Sequence, residues 1–184
     1  MHANFGAILD ACVLANYSVC DLFLRLAETP RLYVPRWSEE ILEEVRRTHQ
    51  KLQWPEKLTD SWQKVVREHF PEAMVNGHEI FVELAKNDPK DRHVLAAALK
   101  SNCEVIVTFN LKDFPRETLS GYGIRAEHPS EFLINLYNID PGIFVTKLVG
   151  IATQRQINLR LVIENLSKSL PAFTDFLSES IGIE

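Results

Sequence analysis

Four acidic residues stand at separated points of this 184-residue chain: Asp10, Glu44, Asp91 and Asp113. Asp10 closes the apolar run at 5–9, and Asp113 follows the strand-like segment 105–109. Because open α/β sheets bind ligands outside the carboxyl ends of their strands, we expect these carboxylates to converge at one edge of a sheet. Converging carboxylates can hold divalent metal over a phosphodiester, so the spacing predicts a site for metal-assisted hydrolysis.

Composition excludes several other classes of protein. The chain is 46% hydrophobic and 24% charged, and no apolar run approaches the roughly 20 residues that cross a bilayer. The amino terminus lacks a basic region followed by a long apolar one, so we expect no signal peptide, no membrane partner and a cytoplasmic location. The three cysteines show no C-x-x-C spacing, which argues against structural zinc or disulfides and favours buried free thiols.

The net charge of −5 counts mildly against a nucleic-acid partner. That argument is weak, because four clustered carboxylates contribute about −4 by themselves and bound metal would cancel much of it. Basic residues also flank the acidic positions: Arg36, Arg46, Arg47, Lys51, Lys90, Arg92, Lys112 and Arg116. The net charge therefore does not exclude a nucleic-acid partner.

Strand-like and helical segments alternate along most of the chain. We predict strands near 5–9, 32–34, 79–84, 105–108 and 124–126. Such alternation implies right-handed crossovers, so the predicted fold class is α/β, a three-layer α/β/α sandwich with a mainly parallel sheet. The pattern then becomes all-helical, which divides the chain into a domain at 1–138 and a C-terminal helical extension at 139–184.

Helical periodicity separates the acidic residues of the segment 38–45, which Ser38 should cap. Glu44 lies roughly 110° from the centre of the apolar stripe and Glu43 about 150° from it. Glu44 is therefore the better candidate ligand, with Glu40 and Glu43 directed to water. Glu39 borders the stripe on its other side, and periodicity alone does not exclude it.

Asp91 lies at the head of the apolar stripe of another predicted helix, with Asp88 as its N-cap and Pro89 at the first helical position. A charge there costs free energy unless it is paired or metal-bound, although an acid near a helix start can also favour the exposed N–H groups. We interpret the neighbouring His93 as a satisfied surface or core histidine rather than a ligand.

The segment around Asp113 offers polar side chains at the end of the strand near 105–108. Thr108 and Asn110 could orient a ligand, a water or a phosphate, or they could satisfy the turn backbone. Asp10 likewise could cap the following turn. Cys12 stands where a haloacid-dehalogenase-type phosphatase needs a second Asp, so the sequence does not support that class of enzyme. P-loop, dinucleotide-binding and serine-hydrolase motifs are absent, so no motif supports those classes either.

Four pieces of sequence, in this order and spacing, resemble a PIN domain between residues 4 and about 137. They are Ile8-Leu9-Asp10-Ala11-Cys12-Val13-Leu14, Ser38-x5-Glu44-Val45, Asp88-Pro89-Lys90-Asp91-Arg92-His93-Val94-Leu95-Ala96-Ala97-Ala98, and Val105-Ile106-Val107-Thr108-Phe109-Asn110-Leu111-Lys112-Asp113-Phe114-Pro115. Each piece alone is weak evidence, whereas the ordered set is fairly specific.

The resemblance implies a nuclease fold whose acidic residues bind Mg²⁺ or Mn²⁺ and hydrolyse RNA. Many small prokaryotic members are toxins of toxin–antitoxin pairs, which implies an antitoxin partner. Asp10, Glu44, Asp91 and Asp113 match the acidic positions of the family motifs. Asn110 stands where many relatives carry a further Asp, so either one metal is held more weakly or Asp113 serves instead.

Two functions follow from this resemblance. The first is a metal-dependent endoribonuclease, the toxin of a type II toxin–antitoxin pair. The alternative is a non-catalytic PIN-like module that binds RNA or a protein. The extension after residue 138 would pack on the domain, mediate homodimerisation or receive an antitoxin helix in an apolar groove.

Overall fold

A four-stranded, all-parallel β-sheet lies at the centre of the computed structural model, which describes residues 5–182. Its strands are β1 (Gly6–Leu9), β2 (Val34–Arg36), β3 (Val105–Val107) and β4 (Arg125–Glu127), in the order β2-β1-β3-β4. Ile8 of β1 pairs with both Arg36 and Ile106, which sets the register across the centre. Two short segments, 1–4 and 183–184, lie outside the described residues. The first bears on the expectation that there is no signal peptide, and the second ends the predicted extension.

Helices fill the connections between the strands and the carboxyl-terminal quarter. They are α1 (Ala11–Leu14), α2 (Tyr17–Ala27), α3 (Glu39–Lys51), α4 (Glu56–His69), α5 (Arg92–Ser101), α6 (Arg116–Ser120), α7 (Pro129–Ile139), α8 (Pro141–Arg155), α9 (Leu159–Ser167) and α10 (Pro171–Ile181). Short 3₁₀ helices span Pro71–Ala73, Glu79–Leu84 and Leu111–Asp113. The predicted cap of α3 is confirmed, because Ser38 Oγ accepts a hydrogen bond from the Ile41 N–H at 3.3 Å.

The helices cover the sheet in the predicted three layers. On one face, Phe23 of α2 stacks against Phe132 of α7 with ring centroids 5.8 Å apart, and Tyr33 packs edge-on against both rings. Helix α5 packs against β1 and β3 with Val94, Leu95 and Ala98 fully buried. The strand order reverses between β1 and β3, so their carboxyl ends open a crevice of the kind that binds ligands in such sheets.

Two strand predictions differ from the structure. The segment 79–84 is a 3₁₀ helix, and none of its residues is buried; Ile80 and Leu84 are 73% and 56% exposed. Its alternating apolar residues therefore have no sheet to face. The second strand begins at Val34 and includes Pro35, which we expected to end it; proline is tolerated there because β2 is an edge strand of the sheet.

The apolar spacing of Leu58, Trp62, Val65 and Val66 predicts that these side chains face inward from a helix near 58–70, but α4 turns a different face inward. Val66 is buried as expected, but Leu58 and Val65 are 57% and 49% exposed. Thr59 and Gln63 take the inner positions instead, since His49 Nδ1 lies 3.1 Å from Thr59 Oγ1 and Gln63 Nε2 donates to the Leu42 carbonyl at 2.8 Å. Hydrogen bonds to α3 thus outweigh the apolar pattern.

The extension after residue 138 packs on the sheet domain. Phe144, Leu148, Phe173 and Leu177 of α8 and α10 are fully buried, and Tyr137 of α7 contacts the Phe144 and Phe176 rings edge-on. Polar contacts add to this packing: Arg155 Nη2 lies 2.6 Å from Asp21 Oδ2, and Asn16 Nδ2 donates to Ser169 Oγ at 2.8 Å. No helix among residues 5–182 is long and apolar enough to cross a membrane.

Candidate active site

A cleft of about 610 Å³ opens at the carboxyl ends of β1 and β3. Its wall includes Asp10, Glu44, Asp91 and Asn110, and the basic side chains of Arg47 and Lys51. Three of the four predicted acids therefore meet at one cleft, although they are separated by up to 81 positions along the chain (91 − 10 = 81). Asp113 does not line it.

Asp10 is held rigidly where β1 passes into α1. It is 4% exposed, and its Oδ1 accepts a hydrogen bond from the Ala11 N–H at 2.6 Å, so it does cap α1. Its Oδ2 accepts from Thr108 Oγ1 at 2.6 Å and from Cys12 Sγ at 3.2 Å. Burial raises the pKa of Asp10, while the Thr108 and Cys12 hydrogen bonds act in the opposite direction. The carboxylate is thus oriented before any ligand arrives.

Cys12, in α1, connects that helix to the segment after β3, a role that its sequence context did not reveal. Its Sγ accepts from the Phe109 N–H at 3.3 Å and lies 3.5 Å from Thr108 Oγ1. Burial raises the pKa of the Cys12 thiol to about 12, and the nearby Asp10 charge adds to the effect. Cys12 therefore positions Asp10 as a neutral thiol and is no nucleophile.

This environment predicts that Cys12 resists alkylation. At pH 8, iodoacetamide should modify none of Cys12, Cys20 and Cys103 in the native protein within minutes and all three in denaturant, because burial raises the pKa of each. Mass spectrometry of peptides after timed quenching measures this. Rapid native labelling of Cys12 would contradict the assignment.

Glu44 projects from α3 at the border of its buried face, as periodicity predicted, and its side chain is 29% exposed. Glu44 Oε1 lies 3.3 Å from His93 Nε2 and 3.8 Å from Arg47 Nη2. Burial alone would lower the pKa of His93, but the Glu44 carboxylate outweighs it and raises that pKa. His93, interpreted from sequence as a satisfied surface or core histidine rather than a ligand, therefore contacts one of the candidate ligands.

The other acids of α3 have different partners, which resolves the ambiguity between Glu39 and Glu44. Arg67 donates two hydrogen bonds of 2.7 Å to the Glu39 carboxylate, and this pairing lowers the pKa of Glu39. Glu40 Oε2 lies 3.1 Å from His78 Nε2, and Glu43 is exposed. Among these four acids, only Glu44 lines the cleft.

Asp91 is itself the N-cap of α5, so the assignment of the cap to Asp88 is wrong. Residues 88–91 form a turn instead: Asp88 Oδ1 accepts from the Lys90 N–H at 3.0 Å, and the Asp88 carbonyl accepts from the Asp91 N–H at 3.0 Å. An Asp-Pro pair suits such a turn as well as a helix start. The Asp91 side chain makes no capping bond and faces the cleft.

Burial and the neighbouring acids both perturb the pKa of Asp91. Burial, followed by the charges of Asp10, Asp113 and Glu44, raises the pKa of Asp91 to about 6. Asp113 therefore acts on the site electrostatically, from the 3₁₀ helix Leu111–Asp113, although it does not line the cleft. Thr108 links this segment to the site, since its Oγ1 accepts from the Asn110 N–H at 3.0 Å and donates to Asp10.

A family model described as the PIN domain matches residues 6–112, more than half of the chain. The chain belongs to the PIN-domain family. The match includes Asp10, Glu44, Asp91, Thr108 and Asn110, and it ends one residue before Asp113. The family resemblance and the α/β/α fold inferred from the sequence are confirmed.

One curated relative of this PIN-domain protein is the Mycobacterium tuberculosis (strain ATCC 25618 / H37Rv) protein named "Putative ribonuclease VapC50". The two are 48% identical over 63 residues, which are 34% of this chain and 37% of the relative. The match thus spans little more than a third of the relative's length. No solved structure matches the chain.

The donor atoms of the PIN-domain cleft fit a hard divalent cation. Asp10, Glu44 and Asp91 supply only oxygens, and their mutual repulsion, visible in the raised pKa of Asp91, would be relieved by a bound positive charge. Within residues 5–182, no group of three or more His, Cys, Asp or Glu side chains is arranged to hold an ion. Mg²⁺ commonly binds through one or two carboxylates plus waters and substrate phosphates, so this arrangement still suits it.

Metal-free Asp91→Asn protein should be more stable than wild type at pH 7.5. A raised folded-state pKa means that ionised Asp91 destabilises the fold above pH 6, and the effect declines between pH 6 and 3.8. Because Asp91 is partly exposed, we expect only about 1 kcal/mol, or roughly 2–4 °C in melting temperature. Thermal denaturation in EDTA at pH 7.5 and pH 4 measures the difference in melting temperature between Asp91→Asn and wild type, with the exposed Asp175→Asn as control. A difference that persists at pH 4 would contradict the prediction.

Thr48 and Asn16 were missed as site components from sequence, and Arg47 and Lys51 were named only among the basic residues that flank the acids. Arg47, Thr48 and Lys51 line the cleft from the same helix as Glu44, and Asn16 enters it between α1 and α2. Positions 44, 47, 48 and 51 share one helical face by i, i+3, i+4 and i+7 spacing. That spacing was available in the sequence and points to a polar stripe that continues from Glu44.

Proposed function

We propose that this PIN-domain protein is a metal-dependent endoribonuclease and the toxin of a type II toxin–antitoxin pair. The convergence of Asp10, Glu44 and Asp91 on one cleft at the strand ends carries the proposal. The relative named a ribonuclease and the resemblance to small prokaryotic toxins support the RNA substrate, the antitoxin partner and action in the cytoplasm.

The residues take distinct roles in this proposal. Asp10, Glu44 and Asp91 hold Mg²⁺ or Mn²⁺ in the cleft, and Asp113 contributes negative charge from just outside it. Such a cation, when bound, activates a water and stabilises the departing oxygen of the phosphodiester. Thr108 and Cys12 fix the Asp10 carboxylate, and His93 and Arg47 restrain Glu44. We also propose that residues 1–138 form the nuclease domain and 139–184 its supporting extension.

Cleavage of labelled RNA with and without Mn²⁺ tests the proposal, using two neighbouring glutamates as a matched pair. Glu44→Gln should lower kcat/KM by at least about 10- to 100-fold, the loss found for partners of metal ligands. Glu43→Gln, which removes the same charge from the exposed face of the same helix, should keep full activity. Cleavage that survives EDTA, or equal losses in the two variants, would refute the proposal.

The alternative, a non-catalytic PIN-like module that binds RNA or a protein, is favoured by one observation. The described residues contain no preformed group of three metal-binding side chains. Metal binding to the folded state stabilises it by about 2.7 kcal/mol when the concentration is 100 times Kd. A rise of several degrees in melting temperature with millimolar Mn²⁺ supports the nuclease, whereas no shift together with no cleavage supports the module.

A further inference from the structure

A second cavity, of about 330 Å³, lies beside the cleft. The two cavities have no lining residue in common, but their walls adjoin along the chain: Asn16 and Thr48 line the cleft, and the next residues, Tyr17 and His49, line the second cavity. We call the second cavity the aromatic pocket, after Tyr17, His49, Trp54 and Trp62, which line it. A chain bound in the cleft could therefore extend into the aromatic pocket across one short segment of wall.

The rings of the aromatic pocket are fixed before any ligand binds. His49 and Trp54 stack with centroids 4.1 Å apart and planes 12° from parallel, and Trp62 lies edge-on to His49 at 5.7 Å. The pKa of His49 is lowered by burial, so the imidazole stacks as a neutral ring at pH 7. Rings held in this way lose little conformational freedom when a flat ligand stacks on them.

Tyr17 presents exposed aromatic surface at the rim. It is 57% exposed, and its ring lies 6.1 Å from that of Trp54 at an angle of 61°. The Arg155 guanidinium sits 4.7 Å from the Tyr17 centroid and is itself anchored by Asp21 at 2.6 Å. The ring is thus oriented by a fixed cation, although more than half of its surface remains accessible.

Cations lie between this pocket and the carboxylates. Arg47 and Lys51 line the cleft from α3, and both are exposed; the Arg47 side chain is 62% accessible. Backbone phosphates of a nucleic acid would be attracted to these charges, which a neutral apolar partner would leave unused. Single-stranded nucleic acids are bound by this combination of basic track and aromatic platform.

We propose that the aromatic pocket is a stacking subsite for one base of a single-stranded RNA whose backbone passes Arg47 and Lys51 into the cleft. The inference rests on the proposed function and specifies its substrate as unpaired RNA. In duplex RNA the neighbouring base pairs cover both faces of each base, so duplex RNA should not use the subsite. Because every base has a π-face, the subsite should tolerate any base.

Binding without cleavage tests the subsite. Full-length protein in EDTA at low salt is titrated into two fluorescein-labelled probes: an eight-nucleotide single-stranded RNA and a ribose-phosphate oligomer of the same length without bases. We expect wild type to bind the RNA roughly 5- to 150-fold more tightly, the range for stacking of one base on an aromatic ring. Tyr17→Ala should abolish most of this preference without changing the affinity for the base-free probe.

Two controls separate stacking from structural damage. Ile80→Ala truncates a 73% exposed side chain outside both cavities and should retain the preference. Tyr17→Phe keeps the ring and should also retain it. As a second readout, the RNA should quench tryptophan fluorescence more than the base-free probe does, and Trp54→Phe should remove most of the difference.

The outcomes distinguish this inference from the proposed function. Equal wild-type affinity for the two probes, or a preference that Tyr17→Ala leaves intact, overturns the subsite while Mn²⁺-dependent cleavage still supports the nuclease. A change of oligomeric state on gel filtration of Tyr17→Ala, with the RNA preference unchanged, would show that a second copy covers the pocket and also overturns it. Absence of binding to either probe contradicts the subsite, and the cleavage assay then judges the nuclease separately.

Discussion

Asp10→Asn is expected to reduce Mn²⁺-dependent RNA cleavage by at least about 10- to 100-fold while the protein stays folded. The substitution removes the charge of the one cleft acid that is almost fully buried and fixed by three hydrogen bonds. The amide oxygen can still accept from the Ala11 N–H, so the cap of α1 survives. Since burial raises the pKa of Asp10, loss of its charge should not lower the melting temperature at pH 7.5 in EDTA.

The control for Asp10→Asn is the same substitution at an aspartate outside the cleft. Asp88→Asn serves, because Asp88 is exposed and an amide oxygen can replace the carboxylate oxygen that accepts from the Lys90 N–H. It should keep cleavage within about twofold of wild type, since surface substitutions rarely matter. Mn²⁺ should raise the melting temperature of Asp88→Asn and of wild type but not that of Asp10→Asn. Full activity in Asp10→Asn would remove Asp10 from the catalytic site.

The parts of the fold that local sequence determines were predictable. The apolar runs predict β1 and β3. The apolar stripe Val19, Leu22, Phe23 and Leu26, followed by Thr29-Pro30, predicts a helix from about Tyr17 to Ala27, and α2 has these ends. Ser38 capped α3 as predicted, because an N-cap depends only on residues within one turn. Alternation of these elements then implied a parallel sheet in three layers.

The wrong predictions concern segments whose conformation or buried face depends on contacts with distant parts of the chain. The inward face of α4 depends on hydrogen bonds from Thr59 and Gln63 to α3, and apolar spacing within α4 cannot reveal them. The segment 79–84 alternates like a strand, but its backbone forms a 3₁₀ helix that packs on α5. In each case tertiary structure overrode a weak local pattern.

The candidate site divides in the same way. Periodicity along α3 placed Glu44 beside the buried stripe, and the structure shows that Glu39 is occupied by Arg67 instead. Thr108 meets Cys12 and Asp10 across 96 and 98 positions, and His93 meets Glu44 between two helices. No local pattern encodes such pairs. Sequence therefore predicted three acids that line one cleft and named Thr108 beside them, whereas the hydrogen bonds that orient these acids required the structure.

Removal of α8–α10 is the second large effect we expect. A chain that ends at Ile139 should lose cooperative folding at 25 °C, because it exposes the surfaces of α2 and α7 that pack on the fully buried Phe144, Leu148, Phe173 and Leu177. Deleting one such side chain costs about 2–5 kcal/mol, whereas a whole domain is stable by only about 5–15 kcal/mol. Circular dichroism melts and gel filtration measure the outcome, with a chain ending at Gly182 as control.

A pair of substitutions tests the same packing without truncation. Phe144→Ala should lower the free energy of unfolding by about 3–5 kcal/mol, because it leaves a cavity between the rings of Tyr137 and Phe173. Val149→Ala, on the same helix but 43% exposed, should change it by less than about 1 kcal/mol. If the chain ending at Ile139 instead melts cooperatively as an active monomer, the domain that contains the sheet folds alone. The extension would then contribute only added stability, and Phe144→Ala should leave RNA cleavage at 25 °C unchanged.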